Sequence, residues 1–189
     1  MEKVLIALDS YDDIFSDFDI GPYETRLISA DFLTELKKKI KKIEPGRIIL
    51  TLPSKFRDKT KEHIIIKRLR EFFRRKEQAQ DRKFKESILF SFLLILTAIL
   101  LVIFLSLTKD FLESIFYDYL IFPSWYISWK GLDKFFSSLK LLEEKNYFKK
   151  LQKAAINFED EEKYVELQTS KLTTEIEKTL EKKQEKLQQ

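Results

Sequence analysis

The chain holds 189 residues, with 35 Lys or Arg against 31 Asp or Glu, a formal net charge of +4, a single His and no Cys. That length carries one modest soluble domain together with membrane segments. Without Cys there are no disulfides, thiol chemistry or thiolate metal sites, and with His63 alone zinc sites of the usual His or Cys kind are excluded as well.

The N-terminus, MEKVLIALDSYDD, has an apolar run too short and too acidic at its flanks for a signal peptide, so targeting is expected to rest on an internal span. Val4 to Leu8 (VLIAL) reads as a strand. An acidic loop follows over 9–19, with Asp9, Asp12, Asp13, Asp17 and Asp19 interleaved with Phe15 and Phe18. Carboxylates just beyond a strand end can hold Mg²⁺ or Ca²⁺ through oxygen ligands, which makes Asp12, Asp13, Asp17 and Asp19 weak metal candidates. Their spacing lacks the Gly and Glu of an EF-hand loop. The plainer expectation is a solvated loop with Phe15, Phe18 and Tyr23 tucked under the domain.

Gly21-Pro22 marks a turn, and Ser29 with Asp31 reads as a helix start. Phe32, Leu36, Ile40 and Ile43 recur at helical spacing, with lysines on the other face. Pro45-Gly46 ends that helix, and Arg47 to Leu52 (RIILTL) reads as a second strand. Strand, helix and strand in this order predict a parallel, right-handed βαβ unit.

From Thr60 to Leu107 nothing breaks a helix, so one long helix is expected. Its start carries Ile65, Leu69, Phe72 and Phe73 on one face, and its end is the run Ile88 to Leu107, free of charge, Pro and Gly. Twenty helical residues reach roughly 30 Å, the thickness of a bilayer's hydrocarbon core. Ser87, Ser91 and Ala98 share a face of this helix and could seat a partner helix. The basic run before the span includes Arg74, Arg75, Arg82 and Lys83. Its juxtamembrane place favours anionic lipid headgroups over nucleic acid as the partner.

The second apolar stretch, 111–129, contains Glu113, Asp118, Pro123 and seven aromatic residues from Phe116 to Trp129. Such aromatic crowding suits the membrane–water interface. Glu113 and Asp118 are candidate membrane-embedded acids, or interfacial ones if the segment is tilted or re-entrant. Amphipathic helical pieces follow, then Ala154 to Phe158 (AAINF) as a short third strand. The end, 161–189, reads as a charged helix, solvated or in a weak coiled coil.

Basic residues mark cytoplasmic flanks of spans. Residues 55–85 carry thirteen Lys or Arg against five acids, 108–129 one Lys against three acids, and 130–153 seven Lys against three acids. Plus, minus, plus fits a hairpin with both ends in the cytoplasm. The alternative is a single span with the aromatic stretch lying on the far membrane surface. Two parallel strands make a poor sheet, so AAINF is expected on the same side as the first two strands.

The block DDIFSDFDIGPYETRLISADFLTEL (Asp12 to Leu36) and the segment SWYISWKGLDKFF resemble a family of uncharacterised prokaryotic integral membrane proteins. The resemblance implies a small N-terminal cytoplasmic part and a hydrophobic hairpin, and it carries no activity. The second stretch is more polar here, and the charged tail is added.

The expected fold is α/β and mostly helical. A small cytoplasmic βαβ-type sheet is completed by a C-terminal strand, and a long helix continues into a transmembrane helical hairpin. The chain divides into a cytoplasmic α/β part (1–59), a basic juxtamembrane helix (60–87), a transmembrane helix (88–107) and a second span or re-entrant segment (111–129). A cytoplasmic return (130–160) with its strand at 154–158 and the charged helix (161–189) complete it. The expected function is a membrane-anchored interaction or scaffolding module, not an enzyme. It would sit in the cell (inner or plasma) membrane with both termini cytoplasmic, without cofactor or nucleic acid, and with a protein partner or a second copy. The alternatives are a metal-dependent enzyme or ligand sensor using loop 9–19, or a small pore or transporter subunit.

Overall fold

The computed structural model describes residues 2–40, 45–108, 114–166, 169–170 and 173, with backbone alone for 2, 45 and 114–118. The elements run β1 (Glu2–Ala7), a 3-10 turn (Tyr11–Ile14), α1 (Ala30–Ile40), β2 (Pro45–Leu52), a second 3-10 turn (Ser54–Phe56), α2 (Lys59–Thr108), α3 (Ser114–Lys153) and β3 (Ala155–Asp160). The chain is mostly helical and falls into two compact units, Met1–Phe72 with Lys150–Gln189, and Phe73–Lys149.

In the first unit the three strands form one parallel sheet in the order β1-β2-β3. β2 is central. Its residues Ile48, Ile49, Leu50, Thr51 and Leu52 are all buried, as expected of a parallel strand covered on both faces. Pro45 is tolerated because it opens the strand, where no ladder bond need be donated. On the edges burial alternates: Val4 and Ile6 in β1, Ile156 and Phe158 in β3. Phe32, Leu36 and Ile40 give α1 its buried stripe, and Ile65, Leu69 and Leu151 are buried in the same unit.

The helix starts have visible chemistry. The Ser29 hydroxyl accepts from the Asp31 N–H at 3.2 Å, and Asp58 Oδ1 accepts from the Thr60 N–H at 2.8 Å at the head of α2. Each satisfies a donor that the first turn cannot use.

The βαβ unit, the long helix after Thr60 and the C-terminal strand take the places expected of them. The third strand is longer, Ala155–Asp160, because its pairing with β2 continues through Thr51↔Glu159 and Leu52↔Asp160. The polar end of that strand hid its extent. In place of separate helical pieces after 129, α3 runs unbroken through Pro123 to Lys153. A proline removes one backbone donor and crowds one carbonyl, which a long packed helix can absorb. Residues 161–166 are helical; the rest of the expected charged C-terminal helix, apart from 169–170 and 173, lies outside the described residues.

In the second unit α2 and α3 pack side by side and antiparallel. Ser138 donates to the Ser87 hydroxyl oxygen at 2.8 Å, Gln80 to Glu144 at 2.9 Å, and Lys145 to Asp81 at 2.6 Å. Burial recurs at helical spacings of four and seven residues. Ser87, Ser91, Ala98 and Leu105 are buried on α2, and Ser124, Gly131 and Ser138 on α3. Small side chains let the helix backbones approach closely. At Gly131 a Cβ would stand 2.7 Å from Ile95 Cγ1 and 3.2 Å from the Ile95 backbone nitrogen, so only glycine fits without movement.

Candidate functional site

The acidic loop is a closed structure held by its own carboxylates. Asp13 accepts from the backbone N–H groups of Asp9 and Ser10, at 2.7 and 3.1 Å, and completes a capping box with Ser10. Asp12 pairs with the Arg26 guanidinium and accepts from the Tyr23 hydroxyl. Asp19 accepts from Gly21 N–H at 3.1 Å and Leu27 N–H at 2.8 Å, and these two bonds hold its carboxyl below the usual carboxylate range. The Ser16 N–H donates to Leu27 O, and Arg68 donates to the carbonyls of Thr25 and Arg26. Asp12, Asp13 and Asp19 thus bond in three different directions. Among the described residues no group of three His, Cys, Asp or Glu side chains, Asp17 included, gathers as a metal would need.

The loop departs from expectation at Phe18. Phe15 is buried and lies 5.3 Å, ring to ring, from a half-buried Tyr23. Phe18 and Ile20, however, are 99% and 96% exposed. Asp19 between them turns its carboxylate inward to the loop's N–H groups, which leaves both apolar neighbours facing outward.

A second polar cluster, unforeseen in the sequence, lies at the carboxyl end of the sheet. The Arg57 guanidinium grips Glu62 through Nε at 2.8 Å and Nη2 at 3.0 Å. It also donates to Asp160 at 2.7 Å and to the Phe158 carbonyl at 3.2 Å. The Tyr11 hydroxyl accepts from Asp58 N–H at 2.7 Å and donates to Glu62 at 3.2 Å. Two carboxylates beside Arg57 raise its pKa further, and burial raises that of Tyr11. Open parallel sheets bind ligands beyond their carboxyl ends. Here four of the five Arg57 donors are spent inside the protein, and the cluster ties the N-terminal strands to β3. No spacing or motif in the sequence links these residues. Asp160, the partner of Arg57, is about a hundred residues away.

In the second unit α2 is, among the described residues, the one helix long and apolar enough to cross a membrane. Only 17% of its apolar window is buried. Leu89, Phe90, Phe92, Leu93, Leu100 and Phe104 are each more than half exposed. On α3, Phe122, Trp125, Tyr126, Trp129 and Phe136 are exposed too. Glu113 lies outside the described residues, as does the side chain of Asp118, which belongs to α3. Arg74, Arg75, Arg82 and Lys83 are exposed on α2, and His63 is exposed in the first unit.

Just before the apolar run, Asp81 takes Lys85 at 2.7 Å and Lys145 at 2.6 Å. These two ammonium groups hold the Asp81 carboxyl below its usual range. A groove of about 460 Å³ in the same unit is lined by Lys83, Glu86, Ser87, Phe90, Lys134 and Leu141.

Comparison of the chain with family models, with curated proteins and with solved structures found no match in any of the three.

Proposed function

We propose that the protein is a membrane-anchored interaction module whose α2–α3 pair enters the bilayer and returns. The observation that carries this reading is the uncovered apolar surface of α2. A core helix of that hydrophobicity is buried, whereas this one keeps 83% of its apolar window unburied. The sheet adds a topological argument. β2 precedes the apolar run, β3 follows α3, and the two strands are hydrogen-bonded neighbours. Both therefore lie on one side, and a crossing by α2 requires a return through 109–153. The basic flanks at 55–85 and 130–153 favour the cytoplasm for that side.

Helix rise separates the basic residues by depth. Arg82 and Lys83 stand within about 9 Å of Ile88 along the axis, and Arg74 and Arg75 about 20 Å away. The headgroup layer is only about 6 Å thick on each side. Arg82 and Lys83 are thus the pair in reach of lipid headgroups.

The interaction half of the reading rests on the loop tip. Phe18 and Ile20 are held outward by a loop whose closure uses the carboxylates of Asp12, Asp13 and Asp19. A catalytic or metal role for the loop would need those carboxylates to converge.

Extraction tests the anchor. The full chain, expressed in bacteria, should stay in the membrane pellet through alkaline carbonate and leave it only with detergent. Release by carbonate would end the reading.

A further inference from the structure

We propose that Lys83 and Lys134 together seat the phosphodiester of one anionic phospholipid in the groove between α2 and α3. The inference rests on the membrane reading above and adds a specific lipid site to it. Of the lysines near the start of the apolar run, four fall into two classes. Lys85 and Lys145 are neutralised by Asp81. Lys83 and Lys134 line the groove and pair with no carboxylate among the described residues.

Depth makes the second pair the telling one. Ser138 bonds Ser87 immediately before Ile88, so Lys134 lies one turn, about 6 Å, to the lipid side of that bond. An ammonium at that level is costly unless an anion meets it or it reaches out to the headgroups. The groove's own carboxylate, Glu86, forms no ion pair with either lysine among the described residues. The bilayer offers phosphates at this height.

The rest of the groove fits a lipid. Phe90 and Leu141 supply apolar wall beside the two cations. Lys83 precedes Ile88 by five residues and Phe90 follows it by two, so the groove straddles the boundary between headgroup and chain. Glu86 is its only carboxylate, which leaves the lining with a single net positive charge. That matches a phosphodiester with one negative charge, such as phosphatidylglycerol. A phosphomonoester, carrying nearly two, would meet Glu86 less well.

The test uses the full chain in a neutral detergent and native mass spectrometry, with phosphatidylglycerol and phosphatidylcholine titrated separately. One phosphatidylglycerol should be retained per chain in preference to phosphatidylcholine. Lys83→Ala and Lys134→Ala should each weaken retention roughly fivefold. Lys67→Ala/Arg70→Ala, which removes two exposed charges farther up α2, should leave it unchanged. Excess inorganic phosphate should not displace the lipid. Equal retention of phosphatidylcholine, equal loss in the control variant, or displacement by phosphate would each overturn the seat. Thermal unfolding of each variant shows whether it is folded. Carbonate extraction of the wild type separates the two ideas. A chain that stays in the membrane without preferring phosphatidylglycerol loses the seat alone, and a chain that is extracted loses both.

Discussion

Arg57 shows how a single residue can hold distant segments together. It satisfies Glu62, which is only 8% exposed, and reaches Asp160 and the Phe158 carbonyl in β3. Arg57→Leu removes the cation and leaves Glu62 buried beside Asp160 with the Tyr11 hydroxyl as its remaining donor. Stranding one partner of a buried pair costs about 3–5 kcal/mol. The partial exposure of Arg57 and Asp160 brings the expectation to about 3 kcal/mol, read as a lower midpoint in thermal unfolding. Arg57→Leu with Glu62→Gln should recover part of the loss, since the stranded charge is then gone. Asp19 makes a pH-dependent contribution of the opposite visibility, on the surface. Its folded pKa is depressed by the Leu27 and Gly21 N–H groups. Its contribution is therefore complete above the ordinary carboxylate pKa of about 3.9 and is lost as pH falls through the lower folded value. Hydrogen exchange at Gly21 and Leu27, corrected for intrinsic rates, should lose protection as pH falls below about 4, and Asp19→Ala should abolish the effect.

The α2–α3 pair shows which packing signals survive in a single sequence. Ser87, Ser91 and Ala98 were legible as a small face because they interrupt an otherwise large apolar run at helical spacing. Their counterpart on α3 was not. Ser124, Gly131 and Ser138 recur every seven residues, but among aromatics, lysines and a proline they form no visible stripe. The apolar surface that α3 turns outward obscured the face it buries. Gly131 is the sharpest test of this contact. Alanine there gains about 1 kcal/mol of helix propensity over glycine. Against that, its Cβ meets Ile95 Cγ1 at 2.7 Å and backbone at 3.2 Å, and overpacking of this kind costs about 1–3 kcal/mol. The backbone contact cannot rotate away, so Gly131→Ala should destabilise the pair on balance. Gly131→Leu should separate the helices. Unfolding in detergent followed by helical circular dichroism would rank the variants, with Ile95→Ala partly restoring Gly131→Ala. An increase in stability for Gly131→Ala would show that the helices do not meet there.

At the scale of the whole chain, the assembly of the sheet was readable and its fastening was not. VLIAL, RIILTL and AAINF announced themselves by composition, and the need for a third strand placed AAINF beside the others. Arg57, Glu62 and Asp160 are common surface residues with no pattern between them, and only the fold brings them together. The sheet makes two consequences testable. Ile156 is 3% exposed in β3 and Phe158 is 8% exposed. Ile156→Asp puts a charge into that core at a cost of several kcal/mol, comparable with the stability of a small domain. Limited proteolysis should then cut within 1–60, far from the substitution in sequence. Unchanged cleavage would mean the two segments fold separately. The second consequence is topological. β1 and β3 share one sheet, so Lys3→Cys and Lys163→Cys must report the same side of the membrane, which the proposed topology takes to be the cytoplasm. Neither should react with an impermeant maleimide in intact cells, and both should react after permeabilisation. Phe111→Cys, between the two helices, should react in intact cells if the pair crosses the bilayer. If it reacts only after permeabilisation, α2 and α3 enter and leave from the same face without crossing. Opposite behaviour of Lys3→Cys and Lys163→Cys would break the sheet itself, since hydrogen-bonded strands cannot lie on two sides of a membrane.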